Sequence, residues 1–259
     1  MYSMIATALQ VTPTDDVAAA IKANTGSDLY VLPEMWTTGF TVDPQHDAVA
    51  EPFARERMVE LAIQSNAAVA GSIAVEVNGE YRNRFYFAMP DGAVRYYDKH
   101  HLFTLGHEHE HYTAGQQRSV IEWQGVRFLL LVCYDLRFPV WARNCGDYDC
   151  ILYVANWPTL RIEAWRTLLR ARAIENQCYV IGVNRISTEL TTIKGKQDIR
   201  LFGGCSAIID PEGIVLREAS AESCEAISAP IDIDTLVKLR HKFAVLNDRD
   251  DFIIKSQEL

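Results

Sequence analysis

Runs of apolar residues cut by short polar turns divide the 259-residue chain into many strands and a few helices. The strongest run is Val126-Arg127-Phe128-Leu129-Leu130-Leu131-Val132, bounded by Gln124-Gly125 and read as a strand buried on both faces. It stops at Cys133, a polar turn follows, and Pro139 is placed to open a helix over 139–144. Cys133 therefore stands at the carboxyl end of a buried strand, where open α/β sheets bind their ligands. A free cysteine is more often an inert core residue, and only this position marks it out.

The same pattern organises the rest. A first strand covers 2–11, and Thr14 caps a short helix that ends near Asn24-Thr25-Gly26. Residues 29–32 form a second apolar strand that runs into Pro33-Glu34 and an aromatic-rich loop to Phe40. An amphipathic helix over 51–65 carries its apolar residues at Phe53, Met58, Leu61 and Ala62. Strands over 67–77 and 81–89 flank the hairpin signal Asn78-Gly79, and Asp91-Gly92 turns the chain into a third strand ending at Asp98-Lys99. After Cys133 come a strand over 150–154, a loop over 155–158, and a helix over 161–177. That helix has one stripe: Ile162, Trp165, Leu168, Leu169 and Ala173. A buried strand over 178–183, a polar surface loop over 187–200 and a hairpin of 202–209 with 214–218 follow. A strand over 224–231 and a helix from Asp232 or Asp234 to about residue 243 complete the chain. With no linker or repeat, 1–259 reads as one α/β domain.

Composition narrows the function classes. The net charge of −9 argues against nucleic acid or an anionic membrane as a partner. No apolar run approaches the ~20 residues of a membrane span. The first residues lack a signal peptide's basic and apolar regions, and six cysteines show no CxxC pair. Reduced thiols in the cytoplasm are expected. His107, His109 and His111 alternate as zinc ligands on one strand face would, but glycine and polar neighbours favour a hydrogen-bonded loop lining a pocket. No metal and no cofactor is expected.

Glu34, Lys99 and Cys133 each end a core strand, so one sheet end can gather them. Their chemistry is complementary. A thiolate attacks a carbonyl, a carboxylate takes the thiol proton and returns one to the leaving amine, and an ammonium holds the oxyanion. The backbone N–H after Cys133 is a second oxyanion donor. A Cys-His pair with His100 or His101 is the rival, without the local sequence that papain-like enzymes carry.

Leu-Pro-Glu34, Asp-Lys99-His-His-Leu-Phe and Cys133-Tyr-Asp-Leu-Arg-Phe-Pro together resemble the three motifs of the carbon–nitrogen hydrolase (nitrilase) superfamily. Ala155-Asn-Trp-Pro and Ala171-Arg-Ala-Ile-Glu-Asn-Gln match its pattern as well, so the resemblance spans nearly the whole chain. It implies a four-layer α-β-β-α sandwich that assembles as a homodimer or larger homo-oligomer. It also implies a catalytic triad of Glu34, Lys99 and Cys133, with a second pocket glutamate. Counting back from Tyr112-Thr-Ala-Gly115, that role falls on Glu108 in preference to Glu110. Within the superfamily the segments after Glu34, Glu108 and Cys133 are most similar to bacterial omega-amidases. Those hydrolyse 2-oxoglutaramate or 2-oxosuccinamate to a 2-oxo acid and ammonia. Two departures stand out, a short first helix and Cys205 within Phe202-Gly-Gly-Cys-Ser.

The expected substrate is thus a small amide with a distal carboxylate, and water is the second substrate. Trp36, Phe40 and Trp157 are expected to wall a narrow slot, with Tyr134 and Arg137 beside the nucleophile. Arg137 either meets the substrate carboxylate or braces the turn. Another linear amide, an N-carbamoyl amine or a nitrile are alternative substrates, and an idle binding scaffold is an alternative class.

Overall fold

A computed structural model of the protein describes residues 3–187, 190–193 and 196–254. The first part of the chain supplies β1 (Met4–Gln10), β2 (Leu29–Val31), β3 (Val49–Ala50), β4 (Ala68–Val77), β5 (Glu80–Ala88) and β6 (Val94–Asp98). The second supplies β7 (Val120–Trp123), β8 (Val126–Val132), β9 (Cys150–Ala155), β10 (Tyr179–Asn184), a ribbon of β11 (Leu190–Ile193) and β12 (Lys196–Arg200), β13 (Ala207–Ile209) and β14 (Val215–Glu218). The last strand, β15 (Glu225–Ile231), returns to pair antiparallel with β1, and the helices are α1 (Val17–Ala23), α2 (Pro44–Asp47), α3 (Glu51–Ser65), α4 (Pro139–Ala142), α5 (Ile162–Asn176) and α6 (Ile233–Lys242). One sheet runs β15-β1-β2-β4-β5-β6, with β3 against β4, and the other β14-β13-β10-β9-β8-β7.

Side-chain parity in β2 shows how the layers assemble. Leu29 and Val31 point into a core shared with Phe128, Leu130 and Val132 of the second sheet. Tyr30 and Leu32 point the other way, onto α1 (Val17–Ala23) and α3 (Glu51–Ser65), which also contribute Val17, Ile21, Met58 and Leu61. Phe87 and Phe128 meet across the two sheets, ring centroids 5.6 Å apart. On the outer face of the second sheet α5 (Ile162–Asn176) buries Trp165, Leu169 and Ala173. The order is helix, sheet, sheet, helix: the α-β-β-α sandwich expected from the motifs. Both apolar strands at its centre, β8 and β9, are covered on both sides, which is why their sequences show no alternation.

Several local expectations are revised. Asp16, not Thr14, caps α1, accepting the Ala19 N–H at 3.1 Å. Phe53 is 69% exposed because the buried stripe of α3 runs through Ala54, Met58, Leu61 and Ala62, one position away. Residues 202–209 contain only the short β13, and β7 was not anticipated. Of the predicted 187–200 loop, the described backbone forms the antiparallel pair β11–β12. Residues 188, 189, 194 and 195, and Tyr2 of the predicted first strand, lie outside the described residues.

Candidate active site

Three strand ends deliver the predicted residues. Past β2, Leu32 N–H donates to Ala70 O at 2.7 Å, and Met35 N–H donates to Ser72 Oγ at 2.9 Å. These bonds pin the turn that carries Glu34 to the neighbouring strand β4. Lys99 follows β6, its N–H on Asn83 O at 3.0 Å and its carbonyl accepting Gly115 N–H at 2.9 Å. Gly115 has to be glycine, since a Cβ there would lie 2.1 Å from Asp98 O. Cys133 leaves β8 with φ of 46°, a left-handed conformation that side chains rarely adopt, and begins a 3-10 turn. Such a sharp turn lifts the thiol off the strand end.

The three side chains converge, and Glu108 joins them. Lys99 Nζ donates to Glu34 Oε1 at 2.9 Å and to Glu108 Oε2 at 2.8 Å. Asn83 Nδ2 bridges the same carboxylates, at 2.8 Å to Glu34 and 3.1 Å to Glu108. Asn156 N–H donates to the other Glu34 oxygen at 2.8 Å, and Phe103 N–H to Glu108 at 2.7 Å. Glu34, Lys99 and Glu108 are fully buried, so each charge depends on these partners. Glu110, the other candidate, is exposed and pairs with His107 instead.

The electrostatics follow from two carboxylates around one ammonium. Burial by itself would lower Lys99, but Glu108, Glu34 and Cys133 outweigh it and hold the ammonium well above its ordinary value. Burial raises Glu108, opposed by Lys99 and reinforced by Glu34. Burial also pushes the Cys133 thiol well up, and Glu34 adds to this through charge and a hydrogen bond, with Lys99 opposing. Cys133 therefore rests as a thiol beside a base.

A third buried carboxylate fixes the turn at Cys133. Asp135 accepts Val132 N–H at 2.9 Å, Tyr97 Oη–H at 2.9 Å and His101 N–H at 3.0 Å, and lies 2.8 Å from His101 Nδ1. The His101 ring stacks on Phe138 at 3.7 Å and the His100 ring on Trp141 at 3.8 Å. Both histidines that follow Lys99 thus clamp the segment that follows Cys133. Neither forms the rival Cys-His pair.

Above Cys133 opens a cavity of about 190 Å³. It is lined by four of the residues singled out in the sequence, Phe40, Tyr134, Arg137 and Trp157, and also by Phe103 and Arg161. Trp36 is not among the lining residues; it is 7% exposed and packs with Leu32 and Val69 on the helix-facing side of the first sheet. Cys205 does not line the cavity either, its Sγ lying 3.3 Å from Arg166 Nη2, so the wall there is Phe202. Asn83 escaped notice although it shares the inward row of β5 with Phe85 and Phe87, where a polar residue is out of place. Among the described residues, no group of three or more His, Cys, Asp or Glu is arranged to hold a metal ion. His109 lies in a 3-10 turn flanked by His107 and His111, and the side chains of His107 and His109 are well exposed.

The family model for carbon-nitrogen hydrolases matches residues 9–241. The chain belongs to the carbon–nitrogen hydrolase family. Omega-amidase YafV of Escherichia coli (strain K12) is 44% identical over 228 residues, 88% of this chain and 86% of that protein. The 2-oxoglutaramate amidase of Bacillus subtilis (strain 168) is 36% identical over 234 residues, again 88% of this chain and 86% of the relative. Among solved structures, XC1258 from Xanthomonas campestris is similar with a TM-score of 0.90 and 36% identity, covering 98% of this chain and all of that one. It is described as a CN-hydrolase superfamily protein with an arsenic adduct in its active site. As a member of the carbon–nitrogen hydrolase family, the chain is a hydrolytic enzyme. Among the described residues no helix is long and apolar enough to cross a membrane.

Proposed function

We propose that this carbon–nitrogen hydrolase is an omega-amidase that converts a small 2-oxo-dicarboxylate monoamide and water into the 2-oxo acid and ammonia. The observation that carries the reading is the meeting of a thiol, a buried carboxylate and a buried ammonium at the floor of a small cavity. In the first half-reaction Cys133 Sγ attacks the amide carbon while Glu34 takes the thiol proton. The oxygen of the tetrahedral adduct is stabilised by Lys99 Nζ and the Tyr134 N–H. Glu34 then gives its proton to the departing nitrogen, the C–N bond breaks, and ammonia leaves a thioester on Cys133. In the second half-reaction Glu34 takes a proton from water, hydroxide attacks the thioester, and the returned proton frees the thiol. Glu108 and Asn83 hold Lys99 and Glu34 at the spacing this cycle needs.

The raised thiol pKa supports this division of labour, because a nucleophile that rests protonated needs an adjacent base. The substrate class draws support from three sides. The cavity, about 190 Å³, is below the ~300–1,000 Å³ of sites that take drug-sized ligands. Its walls are aromatic, and Arg137 offers a cation to a carboxylate remote from the amide. Relatives that cover most of the chain are an omega-amidase and a 2-oxoglutaramate amidase. A homodimer or larger homo-oligomer working in the cytoplasm completes the reading. Ammonia release from 2-oxoglutaramate, 2-oxosuccinamate, glutamine, asparagine and aliphatic nitriles tests it. The 2-oxo amides are expected to lead by at least about tenfold in kcat/KM, the scale of one charge-assisted contact; a nitrile or an uncharged amide in front would replace the reading.

A further inference from the structure

The cavity's charge is one-sided. Lys99, Arg137 and Arg161 line it, and none of its lining residues is acidic. Lys99 is engaged by Glu34 and Glu108, but Arg137 and Arg161 make no ion pair among the described residues. Arg84, Arg127, Arg166, Arg172 and Arg240 each pair with an acid. Two other arginines without an ion pair rest on carbonyl oxygens, Arg143 on Glu175 O and Arg170 on Gly213 O, whereas among the described residues the Arg137 and Arg161 guanidiniums meet only aromatic rings.

The two are placed differently. Arg137 is exposed, its guanidinium carbon 4.9 Å from the centre of the Trp157 ring. Arg161 is half-buried, its guanidinium carbon 5.7 Å from the centre of the Phe103 ring. Its backbone is fixed from two sides, Trp157 Nε1–H donating to Arg161 O at 2.8 Å and Arg161 N–H to Pro158 O at 2.9 Å. Arg161 also stands immediately before α5, a 15-residue helix with no side-chain cap at that end. A cation there opposes the helix dipole, which favours an anion instead. The position is poor for stability and well suited to attracting a carboxylate.

We propose that Arg161 is the specificity-determining residue that binds the substrate's remote carboxylate, with Arg137 as a weaker contact at the mouth. The proposal rests on the reading that the substrate is an amide with a distal carboxylate. A partly desolvated guanidinium attracts an anion more strongly than an exposed one, and its planar fork holds both carboxylate oxygens. The amide end then reaches toward Cys133 and Lys99. An amino-acid amide would bring an ammonium group into a cavity whose lining holds only cations, so a 2-oxo group is accepted where a 2-amino group is repelled.

The test compares kcat/KM for 2-oxoglutaramate with that for hexanamide, an uncharged amide of similar length, in the full chain. Wild type, Arg161→Gln, Arg161→Lys and Arg137→Gln are measured, with thermal melts to show that each is folded. Arg161→Gln is expected to cut the 2-oxoglutaramate preference by about tenfold or more, mostly through KM, the scale of a charge-assisted hydrogen bond. Arg161→Lys should recover part of it, and Arg137→Gln should lose less than Arg161→Gln. A wild-type preference that survives Arg161→Gln, or falls further in Arg137→Gln, overturns the role of Arg161 and leaves the substrate reading standing. Equal loss on both substrates makes Arg161 merely structural and also overturns it. A wild type with no preference overturns the substrate reading, and the proposal with it.

Discussion

Two buried carboxylate clusters flank Cys133, and they are built from opposite materials. On one side Glu34 shares its oxygens with an ammonium, an amide and the thiol, and a second carboxylate completes the set. On the other side Asp135 receives two backbone N–H groups and a phenol, with the His101 ring beside it. Both are fully removed from water. The first cluster contains groups that can exchange protons with the thiol. The second is made largely of donors that cannot, and it ties Val132, just before Cys133, to Asp135, two residues after it. The proposed cycle uses the first for proton transfer and leaves the second to geometry, although a sequence shows each only as an acidic residue near a strand end.

Substitutions should separate the two. The largest effect is expected for Cys133→Ala, which should abolish ammonia release while circular dichroism and melting stay near wild type. Glu34→Gln should block acylation, because Glu34 is the carboxylate hydrogen-bonded to the thiol. Lys99→Met should cost about 3 kcal/mol or more of transition-state stabilisation, the scale of a lost oxyanion donor. It also leaves Glu34 and Glu108 buried around no cation, so a stability loss of about 3–5 kcal/mol should accompany it. Near-wild-type kcat/KM in either variant would take that residue out of the chemistry.

The second cluster should respond in stability first. Asp135→Asn removes the charge from a carboxylate that serves Val132, Tyr97 and His101, and about 2–4 kcal/mol of unfolding free energy should go with it. Urea unfolding checks this, and an unchanged midpoint would mean that the turn holds itself. Glu110→Gln, an exposed control beside the buried Glu108, should change kcat/KM by less than about twofold.

The pH dependence sharpens the same contrast. Burial and Glu34 raise the Cys133 thiol, so its alkylation by iodoacetamide should still be climbing as pH passes the ordinary thiol value of 9.0. Glu34 raises that pKa and Lys99 lowers it. The midpoint should therefore move down in Glu34→Gln and up in Lys99→Met. Movement in the same direction for both would contradict the arrangement of charges.

Much of this was legible in the chain because buried strands announce themselves. Leu29 to Leu32 and Phe128 to Val132 are unbroken apolar runs, so Glu34 and Cys133 stand out as the first polar or reactive groups past their ends. Turns were harder to read. Met35, just after Glu34, has φ of 43°, and past such a residue the alternation of strand faces no longer tells where Trp36 points. The expectation of a wall residue there met a core residue instead. Choosing Glu108 over Glu110 needed a motif count, because both lie in a loop without periodicity. Arg161 left one signal that was not used, a cation at the amino end of a long helix. Asn83 was hidden because its partners lie 49 and 25 positions away along the chain.

The most direct measurement is mass spectrometry of enzyme mixed with 2-oxoglutaramate and quenched in acid during turnover. The account predicts the acyl group on the peptide that contains Cys133, and no acyl group in Cys133→Ala. An adduct on Cys145, Cys178 or Cys205, or sustained ammonia release by Cys133→Ala, would contradict it.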